Sequence, residues 1–239
     1  MAIIRVSDKY QNEKNLYYIQ SGVAEILSST SSVFEISKLG SRIVLDINCP
    51  DEYCEILKVE IADKISEVVA IRYKYDFYKK RLSLQGLSCL EKEILITSLI
   101  AADLDDDKRY AFEKIKGDSE IAIDGVYNFR LKPLKKKWEE VVSYIPSGFF
   151  TAQMKEFISY LLENKKKIVY IESGRVYDSH FRRLKRTDLL DSENVRILLE
   201  VLLSNCGVIE LAGNIPEIDE KYLKEFYGDK IIFSNGNFN

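Results

Sequence analysis

Proline and glycine are scarce in this chain, with four and eleven among 239 residues. Both residues mark turns and interrupt regular structure, so their scarcity favours long helices over an all-β sandwich of many short strands. Long hydrophobic runs are missing too. The most apolar segment, residues 94–102, has about half of the ~20 residues that span a bilayer, and it predicts a buried helix.

Residue patterns typical of catalysis are also missing. The sequence has no phosphate-cradling glycine loop, no nucleophile elbow and no metalloprotease helix. The only histidine, His180, has no cysteine or serine partner at motif spacing, so we interpret it as a structural or surface residue. We expect a protein that acts without catalysis and without a cofactor. An enzyme whose active site is assembled from residues far apart in the sequence is the third hypothesis.

The cysteines indicate a reducing compartment. Cys49, Cys54, Cys89 and Cys206 match no zinc or redox spacing. The N-terminal residues lack the basic start and apolar core of a secretory signal. We therefore expect reduced, partly buried thiols in a cytoplasmic protein.

The acidic run at residues 103–107 has the composition of a metal site but not its spacing. A calcium loop that starts at Asp103 needs glycine at its sixth place and glutamate at its twelfth, and Lys108 and Lys114 occupy those places. A divalent cation held by two carboxylates is the alternative. We favour a solvated helix end and predict no metal site.

The overall charge is nearly balanced, at a formal net value of -3, and 46% of the residues are hydrophobic. These values are typical of a soluble globular protein. They argue against a chain that binds nucleic acid with its whole surface. We expect a protein partner whose identity the sequence does not reveal.

Apolar periodicity predicts a mixed α+β fold, α/β in class, with three regions. Residues 1–48 have the order β-α-β-β, residues 49–164 are helical, and residues 165–239 form a small mixed sheet in the order β-β-α-β-α-β with helices. The boundaries are open because no long linker separates the regions, and one compact unit is the alternative. Residues 234–239 are expected to form a frayed tail.

The Asp124-Gly125 pair leads into a segment with helical apolar spacing that includes Phe129 and Trp138. We predict a helix that begins near Gly125 and places both aromatic side chains in the core. In one interpretation, Asp124 caps this helix while Arg130 anchors a neighbouring helix or carboxylate. In the other, Asp124 and Arg130 belong to an anion or partner site that uses Arg130 and free helix N–H groups.

Residues 165–186 hold the largest charge imbalance, with eight basic residues against two acidic ones and three aromatic residues interleaved. Arginines beside strand aromatics are typical of single-stranded nucleic-acid binding. Contact with a polyanion in general, or with anionic lipid, uses the charges alone. A hairpin with one wet, basic face, balanced by acidic helices elsewhere, is the structural alternative. The predicted polyanion-binding residues are Lys165, Lys166, Lys167, Arg175, Tyr177, Arg182, Arg183, Lys185 and Arg186.

Four segments resemble one protein family. They are Ile-Asp-Gly-x-x-Asn-Phe-Arg-Leu at 123–131, Trp-Glu-Glu-Val-Val at 138–142, Phe-Ile-Ser-Tyr-Leu-Leu at 157–162 and Leu-Lys-Glu-Phe-Tyr-Gly-Asp-Lys-Ile-Ile at 223–232. In these segments the chain is similar to the YtxC-like family of sporulation proteins from endospore-forming Firmicutes. The likeness covers about residues 95–239, and the earlier residues fit only in general pattern.

This resemblance implies a cytoplasmic, sporulation-linked protein, but it implies no reaction because the activity of the family is not established. Some family members end in a cysteine pair, whereas this chain has Ser-Asn-Gly at 234–236, so a metal or redox role does not carry over. The sequence thus predicts a sporulation-associated interaction or regulatory protein. A nucleic-acid-binding regulator that acts through residues 165–186 is the alternative.

Overall fold

The computed structural model describes residues 1–234, which group into two compact units. Each unit is made of two separate chain segments: unit 1 of residues 1–76 and 105–141, and unit 2 of residues 77–104 and 142–234. The helical region predicted at 49–164 therefore contributes to both units. The predicted frayed tail lies outside the described residues from position 235 onward.

The fold is mixed α+β, as predicted, with two four-stranded sheets that each combine parallel and antiparallel pairs. Two π-helical segments, Val69–Tyr73 and Val126–Arg130, each continue an α-helix. The strands are β1 (Ala2–Lys9), β2 (Val33–Leu39), β3 (Arg42–Cys49), β4 (Glu120–Ala122), β5 (Ile168–Glu172), β6 (Arg175–Tyr177), β7 (Val208–Ala212) and β8 (Ile231–Ser234). The helices are α1 (Glu13–Ser29), α2 (Cys54–Val68), α3 (Lys74–Arg81), α4 (Cys89–Ala102), α5 (Leu104–Glu113), α6 (Ile123–Gly125), α7 (Lys132–Tyr144), α8 (Thr151–Leu162), α9 (Arg196–Ser204) and α10 (Glu217–Tyr227).

Unit 1 contains the sheet with strand order β2-β3-β1-β4. The β-α-β-β order predicted for the start of the chain is confirmed by β1, α1, β2 and β3. Strand β1 pairs antiparallel with β3 along its whole length and parallel with β4 on its other side. The sequence does not predict β4, because three residues are too few to show an alternating pattern.

The prediction that Phe129 and Trp138 share a core-facing helix is wrong for Phe129. Trp138 is fully buried, whereas Phe129 is 77% exposed. Phe129 lies in the π-helical segment Val126–Arg130, whose wider turn departs from the 3.6-residue period on which the prediction depends. The regular helix begins only at Lys132, so the two aromatic residues belong to different helical segments.

A buried ion pair links the two chain segments of unit 1. Nζ of Lys74 lies 2.6 Å from Oδ2 of Asp107, and the two side chains are 0% and 1% exposed. The indole N–H of Trp138 donates to the same oxygen at 2.8 Å, and the Lys137 ammonium binds Oδ1 at 2.8 Å. The prediction of a solvated helix end at residues 103–107 is therefore wrong for Asp107, which is buried. The physical reason is that the buried ammonium of Lys74 needs a carboxylate beside it.

Unit 2 contains the sheet with strand order β6-β5-β7-β8. The predicted order β-β-α-β-α-β is confirmed, with β5, β7 and β8 parallel and β6 antiparallel to β5. A two-residue hairpin turn joins β5 to β6 at Ser173 and Gly174. Their φ angles of 50° and 73° lie in the left-handed region that such a turn requires.

Helix α4 contains the most apolar run of the sequence. A capping box begins it: Oγ of Ser88 accepts from the Glu91 N–H, and the Glu91 carboxylate accepts from the Ser88 N–H. Every residue from Ile94 to Ala101 is buried, as predicted. Among residues 1–234, no helix combines the length and the apolarity that crossing a membrane requires.

Replacing Asp107 by alanine is expected to destabilise unit 1 by about 3–5 kcal/mol, because Lys74 loses its buried counter-charge. The fluorescence of Trp138, the only tryptophan, follows the urea-induced unfolding of this unit. Asp106→Ala is the matched control, since Asp106 is 69% exposed in its pair with Arg109 and its loss should leave the midpoint near that of the wild type. Equal shifts in the two variants would contradict the importance of the buried pair.

Candidate functional site

The segment from residue 165 to residue 186, which we call the basic segment, lies in unit 2 and includes β5 and β6. Its C-terminal end is fixed to α9 by the buried side chain of Glu200. This carboxylate accepts hydrogen bonds from the backbone N–H of Arg186 at 3.0 Å, and from the N–H and the hydroxyl of Thr187 at 2.8 Å each. Burial raises the pKa of Glu200, and these hydrogen bonds oppose that rise. The basic segment is thus anchored on a buried helix.

Most cations of the basic segment have no acidic partner. Arg186 is engaged within the protein, since its Nη1 donates a hydrogen bond to the backbone carbonyl oxygen of Leu203 at 3.1 Å. Six of the eight cations in this segment form no ion pair with any described residue: Lys165, Lys166, Arg175, Arg182, Arg183 and Lys185. Five of these six side chains are exposed, and that of Lys165 is half-buried. They are therefore available to an anionic ligand.

No carboxylate of the described residues forms an ion pair with these six cations, although Glu172 lies opposite Arg175 in the β5–β6 pair. The Asp178 carboxylate accepts hydrogen bonds from the backbone N–H groups of His180 at 2.8 Å and Arg182 at 2.9 Å. Asp188 forms an ion pair with Arg196. The excess of basic residues along this segment of the sequence is thus also an excess of positive charge on the folded protein.

Tyr170 and Phe181 form an aromatic pair inside the basic segment. Their ring centroids are 4.6 Å apart and the planes are inclined by 26°, which is a stacked arrangement. Phe181 is 50% exposed and has a φ of 56°, a left-handed conformation that bulky side chains rarely adopt. Its N–H donates to the carbonyl of Asp178 at 3.0 Å, so a tight turn holds the ring in this position. Tyr177 lies opposite Tyr170 in the β5–β6 pair.

Two depressions lie side by side along the basic segment, since Leu184 lines both of them. The larger has a volume of about 480 Å³ and includes Tyr170 in its wall, and the smaller has a volume of about 70 Å³. The basic lining residues are Lys166, Lys167 and Arg186 in the larger depression, and Arg175, Arg183, Lys185 and Arg196 in the smaller. A stacking surface and two adjacent groups of cations suit a ligand with alternating bases and phosphates.

Asp124 and Arg130, the other predicted site, have separate partners. The N-terminus of α6 has no side-chain cap, and the Asp124 carboxylate instead binds Arg42 through contacts of 2.6 and 3.3 Å. Arg130 pairs with Asp118 and donates to the Lys114 carbonyl at 3.2 Å. Each residue thus anchors its own neighbour in unit 1. Their joint role as an anion or partner site stays a prediction.

A polar cluster around Asp8 in unit 1 is not evident from the sequence. Asp8 is 0% exposed and accepts hydrogen bonds from Asn15 and Tyr73 at 2.8 Å each, and from Asn12 at 3.1 Å. Burial raises the pKa of Asp8, and the hydrogen bonds from Asn15 and Tyr73 oppose that rise. Tyr73 lies sixty-five positions away along the chain, so no local sequence motif predicts its hydrogen bond to Asp8.

Two π-helical segments meet at this cluster. Tyr73 belongs to one and Tyr127 to the other, and their ring centroids are 4.7 Å apart. Such segments are frequent at functional sites, because they displace side chains from the regular helical positions. Arg42 lies near the same cluster, since Asp8 and Tyr73 both contribute to the raised pKa of its guanidinium, after the larger effect of Asp124.

The remaining candidates have the surroundings expected of structural or surface residues. His180 is exposed in the turn beside Ser179. All four cysteines are free, with Cys89 exposed and the others buried. Within the described part of the chain, no three His, Cys, Asp or Glu side chains are placed to hold a metal ion.

No protein-family model, curated protein or solved structure matches this chain. The resemblance to the YtxC-like family therefore stays a prediction.

Replacing Asp124 by asparagine is expected to lower the unfolding free energy of unit 1 by about 1 kcal/mol at neutral pH, because the partly exposed ion pair with Arg42 is lost. The hydrogen bond from Arg42 holds the pKa of Asp124 below its ordinary value. The contribution of the pair is therefore complete above the unfolded pKa of about 3.9 and is lost as the pH falls through the lower folded value.

Urea unfolding at several pH values, followed by Trp138 fluorescence, measures this difference. The difference in unfolding free energy between wild type and Asp124→Asn should begin to shrink below about pH 3.9 and disappear once the pH is below the lower folded pKa of Asp124. Asp118→Asn, which breaks the more exposed pair with Arg130, is the control and should have a smaller effect. If Asp124 acted only as a helix cap, asparagine would replace it equally well and the two proteins would not differ at any pH.

Proposed function

We propose that this protein binds single-stranded nucleic acid through the basic segment, and that it acts in the cytoplasm as a regulator, by binding rather than by catalysis. The observation that carries the proposal is the half-exposed Phe181, which is stacked on Tyr170 among cations that lack acidic partners. Such cations attract phosphates, and an exposed aromatic ring offers a surface for bases.

The aromatic pair favours a single strand over the other polyanions. Bases in a duplex are stacked on each other, whereas those of a single strand are free to stack on a protein ring. An anionic membrane or a duplex would use the charges alone and would gain little from Phe181. The strained φ of this residue supports a functional role, since strain of this kind persists where the surroundings enforce it.

The net charge of -3 does not oppose this proposal. Charges that are separated by more than about 8–10 Å are largely screened at physiological salt, so a ligand responds mainly to the local excess of cations. The resemblance to the YtxC-like family supports a role in sporulating Firmicutes. The expected protein partner stays a separate prediction, which a pull-down from sporulating cells with and without nuclease would test.

Fluorescence anisotropy with labelled oligonucleotides of about 12 residues tests the proposal, since one binding fold covers about 4–16 nucleotides. We expect the wild type to bind single-stranded RNA or DNA at ~50 mM salt and to weaken steeply towards ~200 mM. The variant Arg182→Glu/Arg183→Glu should bind at least about tenfold more weakly at low salt. Loss of two phosphate contacts should also reduce the salt slope by roughly 1.4.

A control variant with the same change in net charge distinguishes binding at the basic segment from general electrostatic attraction to the protein. Lys132→Glu/Lys136→Glu makes the same net change on exposed residues of α7 in unit 1 and should bind like the wild type. Phe181→Leu keeps an apolar side chain but removes the ring, so it should lose about 1–3 kcal/mol of binding free energy, while Phe181→Trp should retain it. Equal losses in both charge variants, or binding to anionic vesicles without any to oligonucleotides, would defeat the proposal.

A further inference from the structure

We propose that unit 1 contains a second binding site, independent of the basic segment, for a small molecule that carries a phosphate group. The site is a depression of about 510 Å³ at the end of β1 and the β2–β3 turn, which we call the Arg42 depression. Its volume is within the range of small-ligand sites, roughly 300–1,000 Å³. Its lining residues are Lys9, Tyr10, Gln11, Lys38, Gly40, Ser41, Arg42 and Asp124.

The Arg42 depression has several side-chain hydrogen-bond donors and a single carboxylate among its lining residues. The Lys9 ammonium, the Gln11 amide and the Ser41 hydroxyl make no side-chain hydrogen bond or ion pair among the described residues. The charge of Lys9 does act on Asp124, where it adds to the larger effect of Arg42 in lowering the pKa of that carboxyl. Arg42 has five N–H donors, and its contacts to Asp124 and to the Ser7 hydroxyl engage only three of them. The ligand that matches such a set is one that offers several acceptor oxygens.

The charges in the depression point the same way. Three cationic side chains line it, and Asp124 is the only acid among the lining residues. Both oxygens of that carboxylate already bind Arg42. Lys38 lies 3.8 Å from the centroid of the Tyr10 ring, a contact that orients its ammonium without neutralising it. Counting also the buried Asp8 carboxylate, whose charge acts on Arg42, three cations face two carboxylates, and one positive charge is left over for an anion.

The depression has a firm base, which favours binding because little ordering is needed when a ligand enters. Gly40 takes a φ of 63° in the turn, and the backbone N–H of Tyr10 donates to the Ser41 carbonyl at 2.9 Å. The buried Asp8 carboxylate accepts a hydrogen bond from the Lys9 backbone N–H at 2.7 Å. These hydrogen bonds fix the backbone of Lys9 and the β2–β3 turn, which both line the depression.

A phosphate group fits better than a carboxylate. The free donors are carried by three separate parts of the lining, namely the end of β1, the residue after Tyr10 and the β2–β3 turn. A tetrahedral phosphate has enough acceptor oxygens for donors from all three parts, whereas a carboxylate has two oxygens in one plane. Arginine and lysine are also the usual partners of phosphate in proteins.

Calorimetric titration of the full chain with inorganic phosphate and with pyrophosphate, at matched ionic strength, tests the site. We expect saturable binding of pyrophosphate and at least about tenfold weaker binding in Lys9→Glu, whose exposed side chain is not part of the core. Ser41→Ala changes one hydroxyl and should weaken binding by several-fold, which gives a second variant if the charge reversal disturbs folding. Acetate should bind more weakly than phosphate.

Two controls make the outcome decisive. Lys136→Glu makes the same charge change on the exposed side of α7 and should bind pyrophosphate like the wild type. Arg182→Glu/Arg183→Glu changes the basic segment of unit 2 and should leave unchanged the part of pyrophosphate binding that Lys9→Glu weakens. No saturation up to ~10 mM pyrophosphate, equal weakening by Lys136→Glu, or loss of binding in the Arg182→Glu/Arg183→Glu variant would each overturn the proposal.

Discussion

Unit 1 depends on the buried ion pair between Lys74 and Asp107. The chain leaves this unit after Asp76 and returns at Asp105, so the two partners lie close to the exit and the return. A lysine without solvent contact is tolerated only beside a carboxylate, which means that the two segments must come together for either charge to be buried. Trp138 then completes the contact by donating to the same carboxylate.

From this ion pair a continuous series of contacts reaches the Arg42 depression. The ring of Trp138 is stacked near that of Tyr127, with centroids 6.2 Å apart, and Tyr127 in turn contacts Tyr73. The Tyr73 hydroxyl donates to Asp8, which holds the backbone of Lys9. The buried ion pair and the residues beside the depression therefore belong to one contiguous set of contacts in unit 1.

Buried carboxylates have a comparable role in unit 2. Glu200 accepts backbone hydrogen bonds at the end of the basic segment, and Asp219 accepts the Leu198 N–H at 2.8 Å near the start of α9. Acids used in this way satisfy backbone N–H groups in the interior. The chain has a formal charge of -3 and still presents a basic surface along residues 165–186, because only two of its 38 acidic residues, Glu172 and Asp178, lie in that segment.

The sequence by itself determined the features that depend on neighbouring residues. The capping box of α4, the Ser173-Gly174 hairpin and the order of strands and helices follow from turn chemistry and apolar period, which act over a few positions. Only the tertiary structure decided which charged groups meet. Asp124 binds Arg42, eighty-two positions away, rather than the nearby Arg130, because the register of β3 and the position of α6 bring those side chains together. Likewise Phe129 is exposed, since a π-helical segment shifts it from the regular helical period.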